Sequence, residues 1–169
     1  ADSTADDASG PDPDGSGGDR PPAVAGPYRF AERIGTGAMS VVYRVVDTRS
    51  GADRAAKFLP WPWRQDRWRR ACLRREFRFA MRFSHPNLVR FRELVRHEGR
   101  DFLILDRIEG EGLGERMERS GLAPAEALAV VKAVGSALQH IHESDRRIWT
   151  VHRDVKPENI LIDADGQVK

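Results

Sequence analysis

From Tyr28 onward, apolar and polar positions alternate in short runs. Tyr28–Ile34, Val41–Val46 and Ala52–Leu59 are rich in Val, Tyr and Phe and are separated by glycine-containing turns, the pattern of half-buried strands. The spacing then predicts a helix over about Asp66–Phe83, ending before Ser84-His85-Pro86-Asn87, because proline disfavours the helical region for the residue before it. Leu88–Val95 and Asp101–Leu105 read as two more strands, joined by a turn at Glu98-Gly99. After Gly112 the pattern becomes helical. Leu128, Val131, Val134, Leu138 and Ile141 recur at helical spacing behind Pro124, a residue suited to a first helical turn. A short loop, a strand at Ile160–Ile162, a turn at Asp163-Ala164-Asp165-Gly166 and the start of a strand at Gln167–Lys169 follow. No internal repeat is visible. The expected architecture is α+β and two-lobed: five antiparallel strands with one inserted helix, then the beginning of a helical lobe with one long helix.

Composition narrows the class. The 169 residues suffice for one domain and a tail, and 40% hydrophobic with 32% charged residues is an ordinary soluble balance. A net charge of +2, from 28 basic and 26 acidic residues, gives no argument for nucleic acid as a partner. Cys72 is the single cysteine, so no internal disulfide can form, and a reducing, cytoplasmic setting fits best. No apolar run approaches the ~18 residues of a membrane span, and no basic start followed by an apolar core marks a signal peptide. The chain opens on Ala1 and reads as a fragment or a processed product. Lysine occurs only at Lys57, Lys132, Lys156 and Lys169, an arginine bias that suggests a GC-rich genome. Residues 1–27 carry six aspartates and no aromatic residue. Such a segment buries too little apolar surface to offset its ordering entropy, so it is expected to be a disordered tail, dispensable for catalysis, ahead of a folded domain at 28–169.

The candidate chemistry begins at Ile34-Gly35-Thr36-Gly37-Ala38-Met39-Ser40-Val41-Val42-Tyr43. Two glycines spaced by one, between strands, let a backbone approach a phosphate closely; taken alone, they suit a tight hairpin equally well. A strand follows, not a helix, which disfavours a dinucleotide-binding crossover. Lys57 shares a strand face with Ala55 and Leu59, where an unpaired ammonium is costly unless it sits at a strand end and reaches solvent. On the predicted helix, Glu76 lies among Cys72, Phe79 and Phe83. A Lys57–Glu76 ion pair would satisfy both charges; an exposed Glu76 paired with nearby arginines is the alternative.

The most informative segment is Val151-His152-Arg153-Asp154-Val155-Lys156-Pro157-Glu158-Asn159-Ile160-Leu161-Ile162. Six polar or charged side chains crowd into eight positions between an amphipathic helix and an apolar strand. Here the sequence resembles the protein kinase family, whose His-Arg-Asp…Asn loop it reproduces. The match extends over 28–169 in order: glycine loop, strand lysine, helix glutamate, His85-Pro86-Asn87, hinge, catalytic loop.

The resemblance implies a role for each matched position. Ile34, Gly35, Thr36, Gly37, Ala38, Met39, Ser40 and Val42 correspond to the lid over ATP, with Ser40 in place of the family's third glycine, a departure that weakens the expected phosphate grip. Ala55, Leu105, Asp106, Ile108 and Leu161 fall at positions around the adenine, Leu105 guarding the back of the pocket and residues 106–110 forming the hinge. Lys57, held by Glu76, corresponds to the lysine on the α- and β-phosphates. Asp154 corresponds to the base that orients the substrate hydroxyl, and Lys156 to the lysine on the transferred phosphate. With Pro157-Glu158, Lys156 favours Ser/Thr over Tyr as the acceptor. Asn159 is the expected Mg2+ ligand, its amide carbonyl being a hard oxygen donor. Arg153 corresponds to an arginine that binds an activation-loop phosphate in many kinases. The implied activity is ATP- and Mg-dependent transfer to a Ser or Thr of a protein, in a bacterial relative of the eukaryotic kinases.

Other readings stay open on the sequence. The family's Asp-Phe-Gly would begin roughly three residues past Lys169, so residues 1–169 are expected to be inactive alone. A non-catalytic nucleotide-binding or docking module is the rival, weighed against by the intact Lys57, Glu76, Asp154 and Asn159. A small-molecule phosphotransferase is disfavoured by Lys156-Pro157-Glu158. Trp61, Trp63 and Trp68 sit among Arg64, Arg67, Arg69 and Arg70, which suits a nucleic-acid or partner surface, or more simply a local insert packing on its own helix. Trp61–Arg82 carries +6 and residues 1–19 carry −6. These opposite charges attract one another in one reading and are a solvated face and a solvated tail in the other. His140 and His142, two apart on a helix, point different ways and do not suggest a metal site.

Overall fold

The alternating runs of the first half form a six-stranded antiparallel sheet in the computed structural model, which describes residues 20–37, 40–60, 63–144, 152 and 154–169. The strands are β1 (Val24–Ala25), β2 (Tyr28–Thr36), β3 (Val41–Asp47), β4 (Asp53–Phe58), β5 (Phe91–His97) and β6 (Arg100–Asp106), in the spatial order β1-β2-β3-β4-β6-β5. This is one strand more than the sequence suggests, and β1 falls inside the segment expected to be disordered. Ala25 is 1% exposed, and the Phe30 amide donates to the Ala23 carbonyl at 2.9 Å. The ordered chain therefore starts before Tyr28. Composition missed it because a two-residue strand is specified by the edge it pairs with rather than by its own apolar content. Residues 1–19 lie outside the described residues.

A measurable consequence follows from β1. Deleting residues 1–27 removes Ala25 and the carbonyls of Arg20, Ala23 and Pro27, which accept from Arg100, Phe30 and Thr48. Compared with a deletion of residues 1–19, that deletion is expected to cost about 2 kcal/mol, or roughly 5 °C in melting temperature. Equal melting temperatures for the two truncations would remove β1 from the folded unit.

Period-2 alternation puts the aromatic core on one face of the sheet. Val41, Val45, Ala56, Phe58, Phe102 and Ile104 are buried together, with Phe30 and Tyr43 packed against them. The Phe102 ring meets Phe30 edge-on at 5.3 Å and Phe58 at 5.1 Å, the offset geometries that aromatic quadrupoles favour. The sheet curls around this core until its first strands meet β5. The Tyr28 hydroxyl donates to Glu93, and the Arg49 guanidinium donates to the same carboxylate at 2.8 Å and to Asp47 at 2.9 Å. The opposite face carries Lys57, and helix α1 (Arg67–Ala80) packs on that side.

Helix α1 starts where its sequence provides a cap: the Asp66 carboxylate accepts the amides of Trp68 at 2.8 Å and Arg69 at 3.1 Å. The expected stripe of Cys72, Phe79 and Phe83 is not its packing face as a whole. Cys72 is exposed and Leu73 is the buried residue of the helix, because the face turned to the sheet runs through Arg70, Leu73, Arg74 and Phe77. Arg69 stacks over the Trp63 ring at 3.8 Å, so Trp63 packs on its own helix.

The second half holds two helices where one was expected, α2 (Leu113–Ser120) and α3 (Pro124–Glu143), divided at Gly121. Pro124 opens α3, and the Glu126 side chain accepts the Ala123 amide. Its buried face is Val130, Ala137 and Ile141, whereas Leu128 and Val131 are 54% and 67% exposed. The expected stripe is thus rotated: α3 is apolar on more than one side, and the periodicity alone could not choose between them. A two-stranded sheet, β7 (Gly110–Gly112) with β8 (Leu161–Asp163), links the start of this part to its end. At Gly110 an added Cβ would lie 1.9 Å from the Ile162 carbonyl oxygen, so the pairing requires glycine there. Among the described residues no helix is long and apolar enough to cross a membrane.

Candidate active site

The β2–β3 turn follows directly from the strand pairing. Gly35 faces Val42 and Thr36 faces Val41 in register, and the Gly37 amide donates to the Ser40 carbonyl at 2.7 Å. Ala38 and Met39 lie outside the described residues. Neither glycine has positive φ, and a Cβ added at Gly35 would meet Val42 at an ordinary 3.6 Å. The chain's own packing therefore does not demand glycine here. What the two glycines leave is bare backbone that a ligand can approach closely. Ile34, an apolar side chain at the entry to this turn, is 44% exposed.

Below the turn, Lys57 on β4 sits between Val42 on β3 and Leu103 on β6 in register. Ala55 and Leu105 are the next facing pair toward the end of β6. The Lys57 ammonium donates to Glu76 Oε1 at 2.6 Å, from side chains 29% and 42% exposed. The expected pair is formed, although Glu76 stands on an open flank of α1 and not within an apolar stripe. Its position depends on a second anchor that the sequence reading missed. The Asp101 carboxylate, 2% exposed, accepts two bonds from Arg74 at 2.8 and 3.0 Å and lies 3.6 Å from Arg70. A buried carboxylate needs such compensation, and here it ties α1 to β6. The available signal was register: Asp101 shares the inward period of Leu103.

The connection leaving β6 is also held ionically. The Asp106 amide donates to the Arg90 carbonyl at 2.9 Å, and Arg92 grips the Asp106 carboxylate through two bonds of 2.7 Å. Arg107 donates to Asp53 at 3.3 Å and to Glu109 at 2.6 Å, and Leu105 and Ile108 are half-buried.

Asp154 and Asn159 form the other half of the site. A 3₁₀ turn at Pro157–Asn159 brings the Asn159 amide nitrogen back to donate to the Asp154 carbonyl at 2.9 Å and to its carboxylate at 2.7 Å. Lys156 Nζ lies 3.5 Å from the same carboxylate. The Asn159 bond, and then the charge of Lys156, hold the Asp154 carboxyl below the usual aspartate range despite the opposing effect of desolvation. Asp154 is therefore an ionised acceptor at neutral pH and a weak base. With its nitrogen so engaged, Asn159 has a carbonyl oxygen without a partner among the described residues, a hard donor. Leu161 follows in β8, opposite Gly112. Arg153 lies outside the described residues.

The turn after α1 fastens the two halves. Asn87 Nδ2 donates to the Val168 carbonyl at 2.7 Å, and Lys169 Nζ donates to the Pro86 carbonyl at 2.7 Å. His85 Nδ1 accepts the Asn87 amide at 3.0 Å, which puts its proton on Nε2, 3.1 Å from Ser136 Oγ on α3. Two cavities lie away from this chemistry: a groove of about 580 Å³ between α1 and β5, and one of about 420 Å³ beside β7 and β8. The site itself is an open arrangement: a fixed ammonium beneath a glycine turn, and an ionised carboxylate flanked by an amide and a second ammonium. Such groups position and neutralise phosphates and orient a hydroxyl.

Known proteins resemble the chain in sequence and in fold. Residues 28–169 match the family profile described as protein kinase domain. The chain is similar to the serine/threonine-protein kinase PknE of Mycobacterium tuberculosis, 35% identical over 153 residues, 90% of this chain and 26% of that protein. It is similar to the serine/threonine-protein kinase PrkC of Bacillus subtilis, 33% identical over 86% of this chain and 22% of that protein. In structure it resembles the crystal structure of the Mycobacterium tuberculosis PknI kinase domain, with a TM-score of 0.69 and 26% identity over 84% of this chain and 57% of that one. The chain thus spans about a quarter of the length of these two curated relatives.

Proposed function

Because this chain belongs to the protein kinase family, we propose that the protein carrying it transfers the γ-phosphoryl group of ATP, with magnesium, to serine or threonine hydroxyls of protein substrates. The observation that carries the reading is the formed Lys57–Glu76 pair at 2.6 Å beneath a glycine turn whose glycines the fold does not itself require. Gly35 and Gly37 would admit the phosphates close to the backbone, with Thr36, Ser40 and the neighbouring Ala38 and Met39 completing the lid. Lys57 would hold the α- and β-phosphates, oriented by Glu76. Ile34, Val42, Ala55, Leu105, Ile108 and Leu161 offer apolar surface for the adenine, and the backbone at Asp106–Ile108 its hydrogen bonds.

Asp154, ionised and steadied by Asn159, would accept the bond from the substrate hydroxyl and align it. Its lowered basicity suits orientation in a loose transition state better than early proton removal. Lys156, beside it, would offset charge on the transferred group. Asn159 has the donor chemistry for magnesium, which when bound neutralises charge across the β- and γ-phosphates. Serine/threonine preference rests on Lys156-Pro157-Glu158 and on the relatives' names. A cytoplasmic setting for the catalytic part rests on the lone, unpaired Cys72.

The test uses a protein extended past Lys169 through the rest of the catalytic domain, incubated with labelled ATP, magnesium and a generic protein substrate. Label on phosphoserine or phosphothreonine is the expected result; label on tyrosine, or none, rejects the assignment. Residues 1–169 by themselves are expected to give no turnover above an Asp154→Asn control. Of the two protein ligands expected for the metal they supply only Asn159, and a hydroxyl would not be held in line. Turnover abolished by that control would show that residues 1–169 suffice.

A further inference from the structure

We propose that the aspartate-rich segment 1–19 docks in the arginine-lined groove between α1 and β5, and so steadies the helix that carries Glu76. The groove, about 580 Å³, is lined by Arg67, Arg70, Arg74 and Arg78 of α1 and by Arg96 of β5. Asp101, paired in register opposite Arg96, answers Arg70 and Arg74. Arg67, Arg78 and Arg96 are exposed and have no carboxylate partner among the described residues. Several guanidiniums facing one groove repel one another, and an anionic occupant relieves that repulsion on both walls at once.

The chain itself carries an occupant of the matching charge. Residues 1–19 contain Asp2, Asp6, Asp7, Asp12, Asp14 and Asp19 and no basic side chain. Their point of attachment is placed by the fold. The Arg20 carbonyl accepts a bond of 2.9 Å from Arg100, which opens β6 beside Asp101, at the end of the β5–β6 hairpin where Arg96 stands. A Gly- and Ser-rich chain as long as the thirteen residues Asp7–Asp19 reaches about 20 Å, whereas Arg96 stands only one strand position from His97, the register partner of Arg100. A tether this short sets an effective concentration on the order of millimolar, enough for a weak electrostatic contact to be populated.

A segment bridging α1 and Arg96 would also act on the site. Lys57 depends on where α1 places Glu76, and Asp101 is the anchor already described between that helix and β6. A second, anionic bridge to β5 would restrain the same helix. Docking is independent of the proposed catalytic activity, since none of the groove arginines belongs to the phosphate or hydroxyl site.

The experiment attaches a spin label at Ser9→Cys in a Cys72→Ser background of the chain and reads its effect on backbone amide signals. Those of Ala71, Phe77 and Leu94, which line the groove, are expected to lose about half their intensity at about 0.05 M salt and to regain it near about 0.5 M, where screening confines charge interactions to a few ångströms. The loss should vanish with Arg67→Gln, Arg78→Gln and Arg96→Gln combined. It should also vanish when the six aspartates are changed to asparagine, a variant that leaves the described sheet and helices untouched. Amide hydrogen exchange across α1 should quicken several-fold in that second variant at low salt. Groove signals untouched by the label, broadening that survives either set of substitutions, or unchanged α1 exchange would overturn the proposal.

Discussion

Asp154→Asn, in a protein containing the whole catalytic domain, is expected to slow phosphoryl transfer on the order of 10²-fold or more, which corresponds to about 3 kcal/mol of transition-state stabilisation. The substitution keeps the shape of the side chain and removes its charge and one acceptor oxygen. The carboxylate is 62% exposed and accepts from Asn159 at 2.7 Å, with Lys156 at 3.5 Å, so no buried charge is stranded when it is replaced. The folded state should therefore survive, and nucleotide binding, proposed above to use the sheet, should change little. The hydroxyl would lose its aligning acceptor, and Lys156 the anion that helps to place it. Transfer kinetics with labelled ATP, alongside a nucleotide titration, separate these effects. A slowing of about tenfold or less would be worth only about 1.4 kcal/mol and would remove Asp154 as the residue that orients the acceptor.

What could be read from the sequence was whatever depends on local periodicity or on a contiguous motif. Strands β2 to β4 and β6 follow from alternation, α1 from its helical spacing and the proline beyond it, and the loop ahead of β8 from the polar run at His152–Asn159. The Lys57–Glu76 pair was also legible, from the place of Lys57 on an apolar strand face, although the apolar stripe expected around Glu76 did not form. Three features were not. Strand β1 depends on a neighbouring edge; α2 separates from α3 at Gly121; and the exposed side of α3 cannot be chosen when a helix is apolar on several sides. The site's supports were hidden for the same reason. The inward period marks Asp101 as buried but does not name its partner: Asp101 with Arg74, and Asn87 with the Val168 carbonyl, join residues 27 and 81 positions apart, a separation that local periodicity does not bridge.

Lys57→Met should have an effect as large, for a different reason. Methionine retains the unbranched length that packs between Val42 and Leu103, and it removes the ammonium. The lost ion pair is part-exposed, at 29% and 42%, so by itself it is worth no more than about 1 kcal/mol of folding stability. Glu76, on an open flank of α1, can be solvated by water when its partner is gone. A large activity loss with a nearly unchanged melting temperature is thus the expected signature, and the loss must be chemical. Without the ammonium the α- and β-phosphates have no fixed cation on the sheet, and the γ-phosphoryl group is no longer held in line. Transfer should fall on the order of 10²-fold or more. Glu76→Gln should fall less, by about tenfold, because Glu76 acts through Lys57 and the amide still accepts one bond from it. The order of the two variants is the decisive reading. If Glu76→Gln were as damaging as Lys57→Met, Glu76 would have a role at the phosphates in its own right. If Lys57→Met retained more than about a tenth of the activity, the ammonium beneath the glycine turn would be a structural ion pair, and the phosphates would have to be held elsewhere.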